Sequence, residues 1–295
     1  MKQKVALVLS GGGARGIAHI GVIEELERRG YEITSVAGTS MGALIGGIYA
    51  SGGLSVFSDW LSTLDKYTVF SLMDFTLSKD GIVKGKKVLE AIEKLVPDQD
   101  IRDCKIPFAA VATDLKTKKE IVFESGSLFD AIRASISIPA LFLPYQLNNM
   151  LLIDGGVVNQ MPLNRVKRTK GDMLIAVNVG AIFGDIDFNV PNLPVPVKKS
   201  KKERSLLAKI KQLYPNPFGN MKIRRNKNEM NYVKILMESS NIMINQIVEL
   251  NKKLYPPDLL IEIPLNSYNT LEFYKAEEIK EMGVEAVCRT MEKYY

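Results

Sequence analysis

Val5-Ala6-Leu7-Val8-Leu9-Ser10-Gly11-Gly12-Gly13-Ala14-Arg15-Gly16 holds the first readable unit of the chain. Its first five residues are a continuous apolar run of strand length, stopped by Ser10 and three glycines. Ile17 to Arg29 then repeats apolar residues at helical spacing (Ile20, Ile23, Leu26) until Gly30 closes it. The unit of strand, glycine turn and helix recurs at once. Ile33 to Ala37 reads as a second strand, Gly38 to Gly42 as a tight turn, and Ala43 to Ala50 as a helix ended by Gly52-Gly53. Buried strands alternating with helices predict an α/β fold in three layers, with a mainly parallel central sheet covered on both faces.

Further along, Ile106 to Thr113, Glu120 to Glu124, Leu151 to Ile153 and Leu174 to Val179 are strand candidates. Gly85 to Leu95 and Leu128 to Ser135 carry helical patterns. From Phe183 to Asn226 the periodicity fails, with prolines at 191, 194, 196, 215 and 217 and only a short helical piece expected at Ser205 to Leu213. A long amphipathic helix is expected from Glu229 to Leu254, then a strand at Leu259 to Ile263 that rejoins the sheet and a last helix from Leu271 to Lys293. The reading is one domain, with a core at 4–181 and about 228–295 and an insertion at about 183–226.

The 295 residues, 46% hydrophobic and 24% charged, suffice for a sizeable core. No apolar run reaches the roughly 18 residues of a membrane span. Lys2 and Lys4 precede an apolar stretch too short for a secretory signal, so retention in the cytoplasm is expected. Cys104 and Cys288 lie far apart, without metal-ligand spacing, and suit a reducing compartment. Charge is uneven. The whole chain is +6, yet Val197 to Lys227 holds eleven basic residues and one acidic residue, Glu203, which leaves a mildly acidic body. Lys198, Lys199, Lys201, Lys202 and Arg204 lead into the apolar residues Leu206, Leu207, Ile210 and Leu213, a pattern suited to an anionic membrane surface such as the inner one, or to a solvated loop. No recognised nucleic-acid module accompanies it, so nucleic acid is not expected.

Two motifs carry chemistry. Gly11 to Gly16 satisfies G-x-G-x-x-G between strand and helix, the dinucleotide fingerprint. That use also needs an acidic residue at the end of the second strand, where Gly38-Thr39-Ser40-Met41-Gly42 stands instead. Amides of a glycine loop at a helix N-terminus serve an oxyanion as readily as a pyrophosphate. Gly38 to Gly42 spells the G-x-S-x-G nucleophile elbow, in which a serine occupies a strained turn between strand and helix. Such a serine needs a base. His19 is the chain's single histidine and lies one turn into the first helix. Asp154 follows the apolar strand Leu151 to Ile153 and precedes Gly155-Gly156, at the carboxyl end of a strand, where open α/β sheets place their sites.

Taken together, these motifs resemble the patatin-like phospholipases, in particular the bacterial branch akin to the esterase domain of neuropathy target esterase. Gly11 to Gly16, Gly38 to Gly42 and Asp154-Gly155-Gly156 stand in the family's order. Ala112 to Leu115, Ala134 to Pro139 with Phe142 and Pro144, and Val157 to Asn159 before Pro162 extend the likeness over roughly residues 4 to 181 and again from about 258. The resemblance implies a three-layer patatin-like fold and a serine acyl hydrolase of (lyso)phospholipids or related lipids that needs no cofactor or metal. Ser40 would be the nucleophile, Asp154 the proton acceptor, and Gly11, Gly12 and Gly13 the oxyanion loop. Arg15 would hold that loop, meet a lipid phosphate or form a structural salt bridge. His19 would fall outside the dyad. Ile138, Leu141, Phe142 and Leu143 would line an acyl channel or pack the core. The competing readings are a dinucleotide-binding protein using Gly11 to Gly16 and a noncatalytic membrane-surface adaptor.

Overall fold

The structure, a computed structural model, describes residues 2–74, 85–182 and 232–294. The basic segment with Lys198, Lys199, Lys201, Lys202 and Arg204, the insertion at 183–226 and the short helix expected at Ser205 to Leu213 lie outside the described residues. The chain divides into two compact units, residues 1–189 with 240–295 and residues 190–239. Of the second, only residues 232–239 are described, and they are helical. No described helix is long and apolar enough to cross a membrane.

The first unit contains an eight-stranded sheet. β1 (Gln3–Leu9), β2 (Tyr31–Thr39), β3 (Phe108–Asp114), β7 (Met173–Ala181) and β8 (Leu259–Pro264) are parallel, in the order β3-β2-β1-β7-β8. β4 (Lys119–Phe123) and β6 (Met150–Asp154) run antiparallel to β3, and β5 (Tyr145–Leu147) antiparallel to β6. The helices are α1 (Ala18–Arg28), α2 (Met41–Ser51), α3 (Leu54–Ser62), α4 (Lys66–Leu72), α5 (Lys86–Glu93), α6 (Leu128–Ser135), α7 (Gly156–Asn159), α8 (Tyr232–Leu254) and α9 (Ala276–Tyr294). The expected mainly parallel sheet is present, with its antiparallel additions confined to the β3 side.

Alternation along the strands builds the layers. Val5, Leu7 and Leu9 of β1 join Ile175 and Val177 of β7 and Ile261 of β8 in the larger core, with residues of α1, α2, α6 and α9. Ala6 and Val8 turn to the other face, where Ala37, Ala109 and Ala176 meet Met161, Leu163 and Val248. Small side chains there let the covering segments approach the sheet closely.

One topological detail positions the site. β4 pairs with Ala110 to Asp114 along one edge of β3, so β2 and β6, which pair with overlapping residues, must share the opposite edge. β2 runs up that edge until Thr39 stands opposite Val111. β6 comes down it until Asp154 stands opposite Ala112. The carboxyl ends of the two strands therefore meet at neighbouring residues of β3, which brings together positions far apart in the chain.

Candidate active site

Ser40 lies between β2 and α2 with φ 55° and ψ −124°, a positive φ that is strained for any residue but glycine. Its flanking glycines are obligatory on steric grounds. A Cβ at Gly38 would lie 2.2 Å from the Gly42 carbonyl oxygen, and one at Gly42 would lie 2.1 Å from the Leu9 carbonyl oxygen. The Ser40 carbonyl accepts from the Ala43 and Leu44 amides, so helix α2 starts on it. Serine at this position commonly caps its helix with the hydroxyl. Here the hydroxyl makes no capping bond and is left for other use.

Asp154 ends β6 and is buried. Its amide donates to the Ser137 carbonyl (2.9 Å), and its Oδ1 accepts the Gly156 amide (2.7 Å) at the start of α7. Gly155 is the residue between. Burial pushes the carboxyl up to about 6, against the downward pull of the Ser40 hydroxyl and the Gly156 amide. Ser40 is thus close enough to act on this carboxyl, although no hydrogen bond of regular geometry joins them and Oδ2 has no partner.

The glycine loop borders Ser40, since a Cβ at Gly11 would lie 3.0 Å from the serine Cβ. The Gly11 amide is already donated to the Gln160 carbonyl (3.1 Å) and the Ala14 amide to Thr270 (2.9 Å). Gly12 and Gly13 open a 3-10 turn, Gly13–Ile17, whose first amides lie beyond its internal hydrogen bonds. Of the three loop glycines, Gly12 and Gly13 are therefore the ones that offer amides in this conformation. Gly16, farther along, packs on Met41, with space of only 2.4 Å to the Met41 Cβ for any added Cβ.

Arg15 is buried and donates through Nε to the Val179 carbonyl (3.0 Å) and through Nη1 to the Tyr268 carbonyl (2.8 Å). Among the described residues it forms no ion pair, so the salt-bridge reading gives way to a clamp from the loop to backbone carbonyls. Burial lowers its guanidinium to about 10. His19 is fully buried, and Nε2 donates to the Ser10 carbonyl (2.8 Å), which fixes the tautomer because a carbonyl can only accept. Nδ1 has no partner, and burial lowers the imidazole to about 4. His19 holds the strand end that leads into the glycine loop.

Ser40, Met41 and Gly13 line an apolar cavity of about 850 Å³, a volume that includes space open to solvent. Leu44 of α2, Phe57 and Trp60 of α3, Val69 and Leu72 of α4 and Leu89 of α5 form its walls. Ile138, Leu141 and Phe142 line it as well, whereas Leu143 does not and instead offers its carbonyl to Arg133. Helices α3 and α4 were missed by the sequence reading. Leu54, Phe57 and Leu61 at helical spacing, and Asp65 as a cap accepting the Thr68 amide, are the signals that mark them. Among the described residues no group of three or more His, Cys, Asp or Glu could hold a metal ion.

The patatin-like phospholipase family matches residues 7–166, a span that contains the glycine loop, the Ser40 turn and Asp154. The chain belongs to this family and is a lipid acyl hydrolase. It is 32% identical to an uncharacterized NTE family protein of Mycobacterium bovis over 99% of this chain and 92% of that one. It is 28% identical to lysophospholipase NTE1 of Debaryomyces hansenii and 30% to that of Yarrowia lipolytica, covering 96% and 95% of this chain but only 17% and 19% of those much longer proteins.

Proposed function

We propose that this protein hydrolyses single fatty acyl esters of phospholipids, with lysophospholipids foremost, through a Ser40–Asp154 dyad and an acyl-enzyme. The observation that supports this most strongly is the position of Ser40, in a strained elbow that lies near the buried Asp154 carboxyl and lines an apolar cavity. Above pH 6 the carboxylate is ionised and accepts the Ser40 proton as the hydroxyl oxygen attacks the ester carbonyl. The amides of Gly12 and Gly13 would be the donors to the developing oxyanion, each such donor typically worth about 3 kcal/mol. The alkoxide leaves with the proton from Asp154, the acyl chain stays in the cavity as an ester of Ser40, and water activated by Asp154 releases it. The yeast relatives are named as lysophospholipases, in keeping with one acyl chain in one cavity.

A fluorophosphonate probe should label the protein at Ser40, and Ser40→Ala should abolish the label. Intact labelling of Ser40→Ala would end the reading. A pyrophosphate site is disfavoured by the apolar cavity walls and by Thr39, which ends β2 where a dinucleotide site places an acidic residue. The basic segment at Lys198, Lys199, Lys201, Lys202 and Arg204 is proposed to bring the enzyme to anionic lipid. Deleting it should weaken binding to acidic vesicles, and equal binding would remove that part of the proposal.

A further inference from the structure

Ser40 holds its positive φ only because its surroundings over-determine it, and one side chain contributes directly. Ser135, the last residue of α6, is fully buried. Its Oγ accepts the Ser40 amide at 2.8 Å and donates to the Val111 carbonyl at 2.6 Å. Because the carbonyl can only accept, the hydroxyl proton must point at Val111, and a lone pair is left facing the Ser40 N–H. The orientation is therefore fixed by chemistry, and at 0% exposure water has no access to replace either bond. Val111 is also the residue of β3 opposite Thr39, adjacent to Ala112, which stands opposite Asp154. Two residues beyond Ser135, the Ser137 carbonyl accepts the Asp154 amide at 2.9 Å. Ser135 at the end of α6 and Ser137 just beyond it thus hold the main chain of Ser40 and Asp154 respectively.

We infer that the Ser135 hydroxyl is a positioning residue for Ser40. It ties the elbow amide to the point on β3 where the two strand ends meet, and so sets the placement of the nucleophile against Asp154 and the glycine loop. The inference rests on Ser40 being the nucleophile. Ser135 touches no substrate in this role, so its loss should slow the chemical step and leave acyl binding in the cavity unchanged.

The test compares wild type, Ser40→Ala, Ser135→Ala and Ile23→Ala as full-length proteins. Ile23→Ala is a control for general destabilisation, because Ile23 is buried in α1 and lines no part of the cavity. The readouts are the fluorophosphonate labelling rate, kcat and KM for an acyl ester, and thermal unfolding. Ser135→Ala is expected to lower kcat and the labelling rate by ~10- to 100-fold with KM unchanged, as for a nucleophile displaced by a fraction of an ångström. Labelling of folded Ser135→Ala as fast as that of Ile23→Ala would overturn the inference while leaving the hydrolase reading intact. Absence of label on wild-type Ser40 would remove the reading itself. If Ser135→Ala does not fold, Ser135→Cys carries the test, since a thiol of similar size is a weak acceptor. Slower labelling with unchanged KM supports the inference, and wild-type labelling overturns it.

Discussion

At Asp154 and His19 burial moves two titrations in opposite directions, to about 6 and about 4. An acid limb near pH 6 would ordinarily be assigned to an imidazole, whose unperturbed value is about 6.5. Here that range belongs to the carboxyl, so the position of the limb cannot identify the base and substitution has to. Asp154→Asn should reduce turnover by at least ~10³-fold, because no group remains to take the Ser40 proton. His19→Gln should retain most of the activity with the limb still near pH 6. A limb that vanishes in His19→Gln, measured as kcat/KM from pH 4.5 to 8, would reassign the base.

Among the elements, those that present Ser40 and Asp154 were readable because each pairs an apolar run with a glycine break. β1 with its loop, β2 with its turn, and β6 before Gly155 all have that form. α6 was readable to the residue, from Leu128 to Ser135, and its cap explains why: Ser127 accepts the Asp130 amide. β5 is a three-residue strand that carries too short an alternation to recognise. The last helix begins at Ala276, after a 3-10 turn at Phe273–Lys275, and not at Leu271. The cavity was hidden for another reason. Its walls come from four helices and two loops, and apolar spacing does not distinguish a residue that lines a cavity from one that fills a core.

Leu44 shows what those walls predict. It stands one turn beyond Ser40 on α2 and lines the same cavity, so under the proposed acyl-enzyme it would meet the chain carried by the serine. Leu44→Phe should shift preference toward shorter acyl esters by ~10-fold in relative kcat/KM, the scale of adding bulk to an apolar pocket. An unchanged chain-length profile would place the acyl group elsewhere. The contact of α1 with α9 could not be read from sequence at all, because its two faces lie more than 250 positions apart. A Cβ at Gly283 would come within 2.1 Å of the Ala18 carbonyl oxygen, and one at Gly21 within 2.0 Å of that of Lys280. Gly283→Ala must push the helices apart at the first turn of α1, directly after the glycine loop. It should cost about 1–3 kcal/mol in urea unfolding and lower activity in the surviving folded protein.

For the molecule as a whole, the same two buried groups govern how stability depends on pH. Asp154 moves from about 3.8 unfolded to about 6 folded, so between those values the native state binds the extra proton and stability falls as pH rises. His19 moves from about 6.5 unfolded to about 4 folded, so the unfolded state binds the extra proton and stability rises with pH over much the same interval. Each shift corresponds to roughly 3 kcal/mol, and in the wild type the two slopes oppose each other from pH 4 to 6. Asp154→Asn leaves the His19 slope alone, so its stability should climb with pH across that interval and exceed that of wild type at neutral pH. His19→Gln leaves the Asp154 slope alone and should lose stability over the same range. Paired carboxylates elsewhere, such as Glu25 held at about 2 by Arg28, are common to all three proteins and cancel in the differences. Urea unfolding from pH 4 to 7 therefore yields two difference curves of opposite sign, and curves parallel to that of wild type would mean that neither group is buried in the way its surroundings indicate.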